Sequence, residues 1–122
     1  MTRNEPRPLS APLALGLLTV GALLIRLPGF LSHPVVLTEG TTYVTIARNL
    51  LAGHGYVGIL GTVEPFAPPL YPLLIALVSA LSGGAVWSAR VISLLAGAAL
   101  APAAYLLAAR LFSRRSGLWA AL

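Results

Sequence analysis

Between Arg90 and Arg110 the chain runs through 19 residues, Val91 to Ala109, without a charged side chain. A helix of that length and character approaches the ~20 apolar residues needed to cross the hydrocarbon of a bilayer. In water it would have to be buried on every side. A 122-residue chain that is 57% hydrophobic and 9% charged has too little polar surface for that, since an ordinary soluble domain carries about 25% charged residues. Two further runs repeat the pattern. Ala11 to Ile25 is uncharged over 15 residues, with apolar character continuing past Arg26 to Leu31, and Phe66 to Trp87 is uncharged over 22. The sequence therefore predicts an all-α, multi-pass membrane protein.

The expected spans are 11–27, 69–82 and 91–110. The second enters through Pro68, Pro69 and Pro72 and closes at Gly83 and Gly84. Proline is tolerated there because the first N–H groups of a helix have no internal partner. Pro102 predicts a kink in the third span, and Gly97 with its alanine neighbours leaves room for another helix to approach. Arg26 is expected to snorkel outward from the end of the first span. A basic start before a short apolar run also describes a secretory leader, but Arg26, Leu27 and Pro28 stand where its small-residue cleavage site would be. Arg114 to Gly117 predict a turn, and 118–122 the start of a fourth span in a longer protein. Arg3 and Arg7 place the N-terminus inside by the positive-inside rule; three spans then leave Arg114 and Arg115 outside, against the same rule.

The net charge of +5 comes from eight Arg and no Lys, set against Glu5, Glu39 and Glu64. The arginines stand singly between apolar runs apart from the adjacent pair Arg114 and Arg115, so no basic stripe for nucleic acid forms. There is no Cys, which excludes disulfides and thiolate metal sites.

The segment 32–64 is the most polar. Within it Tyr43, Ile46, Ala47, Leu50 and Leu51 recur at helical spacing on one face, with Thr41, Thr45, Arg48 and Asn49 opposite. A short helix of that division, 41–51, suits the membrane interface. Gly53, His54 and Gly55 stop it, and Tyr56 to Val63 reads as a short extended piece. Glu39 lies just ahead of this helix. One reading is that it complements the positive end of the helix dipole, worth about 0.3–1 kcal/mol. The other is a general base at the membrane surface, accepting a proton from an incoming hydroxyl. His33 and His54 read as turn residues and Glu64 as a loop charge. Tyr43, Tyr56, Tyr71 and Trp87 suit interfacial belts, and Arg48 suits either lipid phosphate or a solvated face. No phosphate-binding loop, zinc-protease helix or nucleophile elbow is present.

The order of these pieces resembles the GT-C glycosyltransferases, such as the protein O-mannosyltransferases and the aminoarabinose transferases of lipid A. The segment from Thr38 and Glu39 through Ala47-Arg48-Asn49-Leu50-Leu51 is similar to that family's first outer loop. Gly53-His54-Gly55-Tyr56 follows as the turn and Pro68-Pro69-Leu70-Tyr71-Pro72 as the entry to the next helix. Ala89-Arg90, Ala109-Arg110-Leu111-Phe112 and Arg114-Arg115-Ser116-Gly117 also match its look. The resemblance implies a glycosyltransferase that takes a sugar from a polyprenyl-phosphate donor to a lipid, glycan or protein acceptor, in the bacterial inner membrane. It implies Glu39 as the catalytic base, with Tyr43, Arg48, Tyr71 and Arg90 as substrate-binding residues. No cofactor is implied, and a divalent metal is neither demanded nor excluded. Two positions depart from the family: Gly40 replaces the second acid of its acidic pair, and Ala67 stands where some members carry a phosphate-binding Lys. A transporter of lipid-linked precursors and a small membrane adaptor remain as other classes. Sugar, acceptor and oligomeric state are open.

Overall fold

The computed structural model describes residues 10–32 and 38–121. The N-terminal Arg3, Glu5 and Arg7, together with His33 and Leu122, fall outside that range. Five helices follow one another: α1 (Ala11–Leu31), α2 (Thr38–Leu51), α3 (Leu70–Ser82), α4 (Ala85–Leu111) and α5 (Arg114–Ala120). No strand forms among the described residues, so the all-α expectation holds.

Two of the helices, α1 and α4, are long and apolar enough to cross a membrane, with 21 and 27 residues. Only 11% of each apolar window is buried. A helix this apolar in the core of a soluble protein would be mostly covered, whereas here Leu17, Leu24, Ile25, Leu100 and Leu107 all face outward. α1 continues to Leu31, through Pro28, past the expected end at 27. α4 begins at Ala85 rather than 91, which brings Arg90 inside the helix instead of at its border, and it runs on through Pro102. α3 spans 13 residues, about 20 Å at ~1.5 Å per residue, well short of the ~30 Å hydrocarbon layer.

The chain divides into two compact units. Among the described residues, the first joins 10–28 with 95–121. Its side-chain contacts are few and close. A Cβ added at Gly117 would lie 2.8 Å from the Tyr105 carbonyl oxygen and 3.1 Å from Ala109 Cβ, so α5 lies against α4 where only glycine fits. α5 starts at Arg114, where the sequence suggested a turn. The physical reason is the cap: Ser113 is extended, and its Oγ accepts from the N–H of Ser116 at 3.1 Å, satisfying one of the orphan donors of the first turn.

The second unit covers Gly29–Leu94. Its core is formed by Val44 and Ala47 of α2, Ile75 and Ala76 of α3, and Ala85 and Ala89 of α4. Ile46, Ile75 and Pro72 are fully buried. α2 therefore lays its apolar face on α3. The buried set differs by two residues from the face read in the sequence: Val44 joins it, and Leu51, at the helix end, is 50% exposed. Gly83 ends α3 with φ of 75°, its N–H returning to Ser79 O. That left-handed turn is available to glycine without strain and sends the chain back as α4. Ser82 and Ser88 are hydrogen-bonded across the turn at 2.8 Å.

The segment between α2 and α3 is folded rather than extended as a whole. Val57 and Val63 form an isolated antiparallel bridge, with Gly61 turning at φ 73° between them. Asn49 Nδ2 donates to Val57 O at 2.7 Å, and the Tyr56 hydroxyl donates to Ala67 O at 2.7 Å. The Glu64 side chain lies over Gly58, filling the place of its missing Cβ.

Candidate functional site

Glu39 lies inside α2, in its first turn; the helix starts three residues earlier than expected. There the unpaired N–H groups and the helix dipole favour a carboxylate. The side chain is exposed. At ~100° per residue, Glu39, Tyr43, Ile46 and Leu50 fall within about 60° of one another, so the carboxylate heads the row that packs on α3. Tyr43 is one turn below it, with about 5–6 Å between Cβ atoms at that spacing.

Tyr43 meets Tyr71 of α3 edge to face, with ring centroids 5.3 Å apart and an interplanar angle of 82°, a favoured arrangement of aromatic quadrupoles. The Tyr71 hydroxyl donates to Ala89 O at 3.0 Å and receives from Ser93 Oγ at 2.7 Å. Its polar end is thereby fixed to α4, while its ring supports Tyr43.

Arg90 follows Ala89 on α4. Its Nη2 donates to the carbonyl oxygen of Phe30, and its guanidinium stands 5.0 Å from the centroid of the Phe30 ring. Phe30 also meets Trp87, with centroids 5.0 Å apart. Phe30 O belongs to the last turn of α1, where carbonyls lack helical partners, so Arg90 satisfies a helix end while keeping further N–H donors.

Of the five residues singled out by the sequence, Tyr43 and Tyr71 touch, and Glu39 stands a turn from that pair. Arg90 is joined to it through the neighbouring Ala89 backbone. Arg48 is not brought to the same place. Nine residues beyond Glu39, it projects about 180° away on the helix and is exposed. His54 is exposed on the turn after α2. The sequence reading missed Phe30 and Ser93 as the groups that hold Arg90 and Tyr71. Phe30 carries no local signal for it, because its partner is 60 residues away. Ser93, three residues after Arg90, gave a weak one as a polar position in an apolar run. No cluster of His, Asp and Glu that could hold a metal ion forms among the described residues.

Tyr56 has its pKa raised above the ordinary tyrosine value of 10.0, first by burial and then by the Tyr43 and Glu64 groups. The protonated hydroxyl is the form that donates to Ala67 O.

Residues 66–122 match the family described as dolichyl-phosphate-mannose-protein mannosyltransferase. This agrees with the resemblance seen in the sequence and supports a glycosyltransferase of the GT-C type. The matched region holds α3, α4 and α5, with Tyr71 and Arg90; α2 with Glu39 lies ahead of it. No curated protein and no solved structure matches the chain.

Proposed function

We propose that this chain contributes the acceptor-activating side of a membrane glycosyltransferase that takes a sugar from a polyprenyl-phosphate donor. The family match over 66–122 supports the reaction type. The observation that carries the assignment of the base is the exposed carboxylate of Glu39 in the first turn of α2, one turn from the Tyr43–Tyr71 pair. The acceptor hydroxyl gives its proton to Glu39 as its oxygen bonds to the anomeric carbon. The bond from that carbon to the phosphate oxygen breaks, its electron pair leaves with the phosphate, and the configuration inverts. Negative charge grows on the leaving phosphate, and a fixed cation beside it lowers the barrier. Arg90, oriented by Phe30, is the candidate among the described residues. Arg48, on the far face of α2, serves lipid phosphate at the surface instead.

Helix length supports two membrane crossings in these residues, α1 and α4, with α2 and α3 on the outer side. Arg110, Arg114 and Arg115 then return to the side that carries Arg3 and Arg7, as the positive-inside rule asks, and Glu39 faces outward. These 122 residues contain no Cys, so single cysteines introduced among them report cleanly once any cysteine elsewhere in the natural protein is replaced. His54→Cys should react with a membrane-impermeant thiol reagent in intact cells, and Arg115→Cys only after permeabilisation; the reverse pattern overturns this topology. For the chemistry, Glu39→Gln in the natural membrane protein should lower transfer from a radiolabelled polyprenyl-phosphate sugar by about 10²–10⁴-fold, the usual worth of a general base, with helicity intact. Unchanged transfer removes Glu39 from the mechanism.

A further inference from the structure

Within the first unit a groove of about 820 Å³ is lined by Leu17, Gly21 and Ile25 of α1, Leu100 and Ala104 of α4, and Ala120 of α5. Among the described residues, Arg26 is the one charged side chain in the lining, and no carboxylate joins it. Arg26 does not extend past the end of α1 as the sequence suggested. It folds back, with Nη1 3.4 Å from Ala22 O, a long contact for an N–H donor. Its Nε stands 2.8 Å from the point where a Cβ on Gly97 would be. The absence of a side chain at position 97 is what lets the guanidinium lie there.

Arg26 is exposed at this groove; with lipid rather than water around α1, an arginine there is costly unless an anion meets it, and none of the described lining residues supplies one. From Arg26 to Leu17 is nine residues, about 13.5 Å along α1 at ~1.5 Å per residue. That is close to half of the ~30 Å hydrocarbon layer, the depth of one leaflet. We propose that the groove binds an acidic phospholipid, its phosphate paired with Arg26 and one acyl chain lying between α1, α4 and α5. Guanidinium suits phosphate because its forked donors match two oxygens at once. The small side chains Gly21, Ala104 and Ala120 leave the width of a chain. A polyprenyl tail is far longer than a groove of one leaflet, which favours the phospholipid over the sugar carrier. The inference concerns this groove alone, and the outcome of the Glu39 experiment leaves it untouched.

Native mass spectrometry of the detergent-solubilised natural protein tests it, with phosphatidylglycerol, phosphatidylcholine and polyprenyl phosphate offered at equal concentration. Both lipids carry the phosphate, but the choline ammonium cancels its charge beside the guanidinium, so wild type should retain one phosphatidylglycerol with about tenfold or greater preference over phosphatidylcholine, about 1.4 kcal/mol. Arg26→Gln should erase the preference, and Arg26→Lys should keep part of it. Ala104→Leu fills the groove with the arginine intact and should reduce retention as well, which guards against a misfolded Arg26 variant. An undiminished preference in Arg26→Gln overturns the proposal, as does full retention in Ala104→Leu or displacement of phosphatidylglycerol by polyprenyl phosphate.

Discussion

Residues 29–94 and the rest of the described chain are held together by different physics. The former has a buried core and long-range bonds: Ile46 and Ile75 are fully buried, and Tyr71, Asn49, Tyr56 and Arg90 each bond a backbone carbonyl outside their own helical turn. Large apolar side chains are exposed in both regions, Leu70, Leu77 and Leu81 as much as Leu24, Ile25 and Leu107, and what sets the latter apart is where its helices meet. The contacts that matter are at glycines, Gly117 against Tyr105 and Gly97 under Arg26. Two ways of joining helices are involved. Where water is available, burying apolar area drives association. Where lipid surrounds a helix, leucine gains nothing by turning inward, and close approach at small residues replaces the hydrophobic core.

If that division is right, damage in one region should stay local, and hydrogen exchange of the protein in nanodiscs can tell. The largest effect should come from Ile75→Ala, which opens a cavity in the α2–α3 core. A cost of about 2–5 kcal/mol is expected for such a change, read as lost amide protection in α2 and α3 with α1 and the 95–111 part of α4 unaffected. Equal loss in α1 would break the comparison. Gly117→Leu should cost less, about 1–3 kcal/mol for overpacking, and should loosen α5 while sparing the Tyr43–Tyr71 pair. The smallest effect concerns Tyr56. Because its folded pKa is raised, the neutral hydroxyl is favoured by the fold. Its contribution is complete below the unfolded value near 10 and is lost as pH climbs through the higher folded value. Raising pH through that window should lower the protection between Gly53 and Ala67 relative to the intrinsic, base-catalysed exchange rate, and Tyr56→Phe should remove that extra loss. A loop that stays equally protected across the window would show that the Tyr56–Ala67 bond does not hold it.

Much of the helical layout was legible because it depends on neighbours along the chain. The uncharged runs mark α1 and α4, the proline cluster and Gly83 bound α3, and the spacing from Tyr43 to Leu50 marks α2. The terminal residues were less legible. α2 takes in Glu39 and α4 takes in Arg90, since a helix tolerates a charge in its first turns and composition does not say where hydrogen bonding begins. The candidate site was half legible. Tyr43 and Tyr71 could be named from the sequence but not joined, and Arg90 could be named without its partner Phe30.

Local sequence alone determined that this chain is helical and rich in lipid-compatible surface, because charge spacing and turn residues act over a few positions. Which charges meet what was decided only in three dimensions. Arg90 binds a carbonyl 60 residues away, and Arg26 lies across Gly97. Contacts of that kind depend on how one helix comes to lie beside another, and no short-range pattern in the chain encodes it.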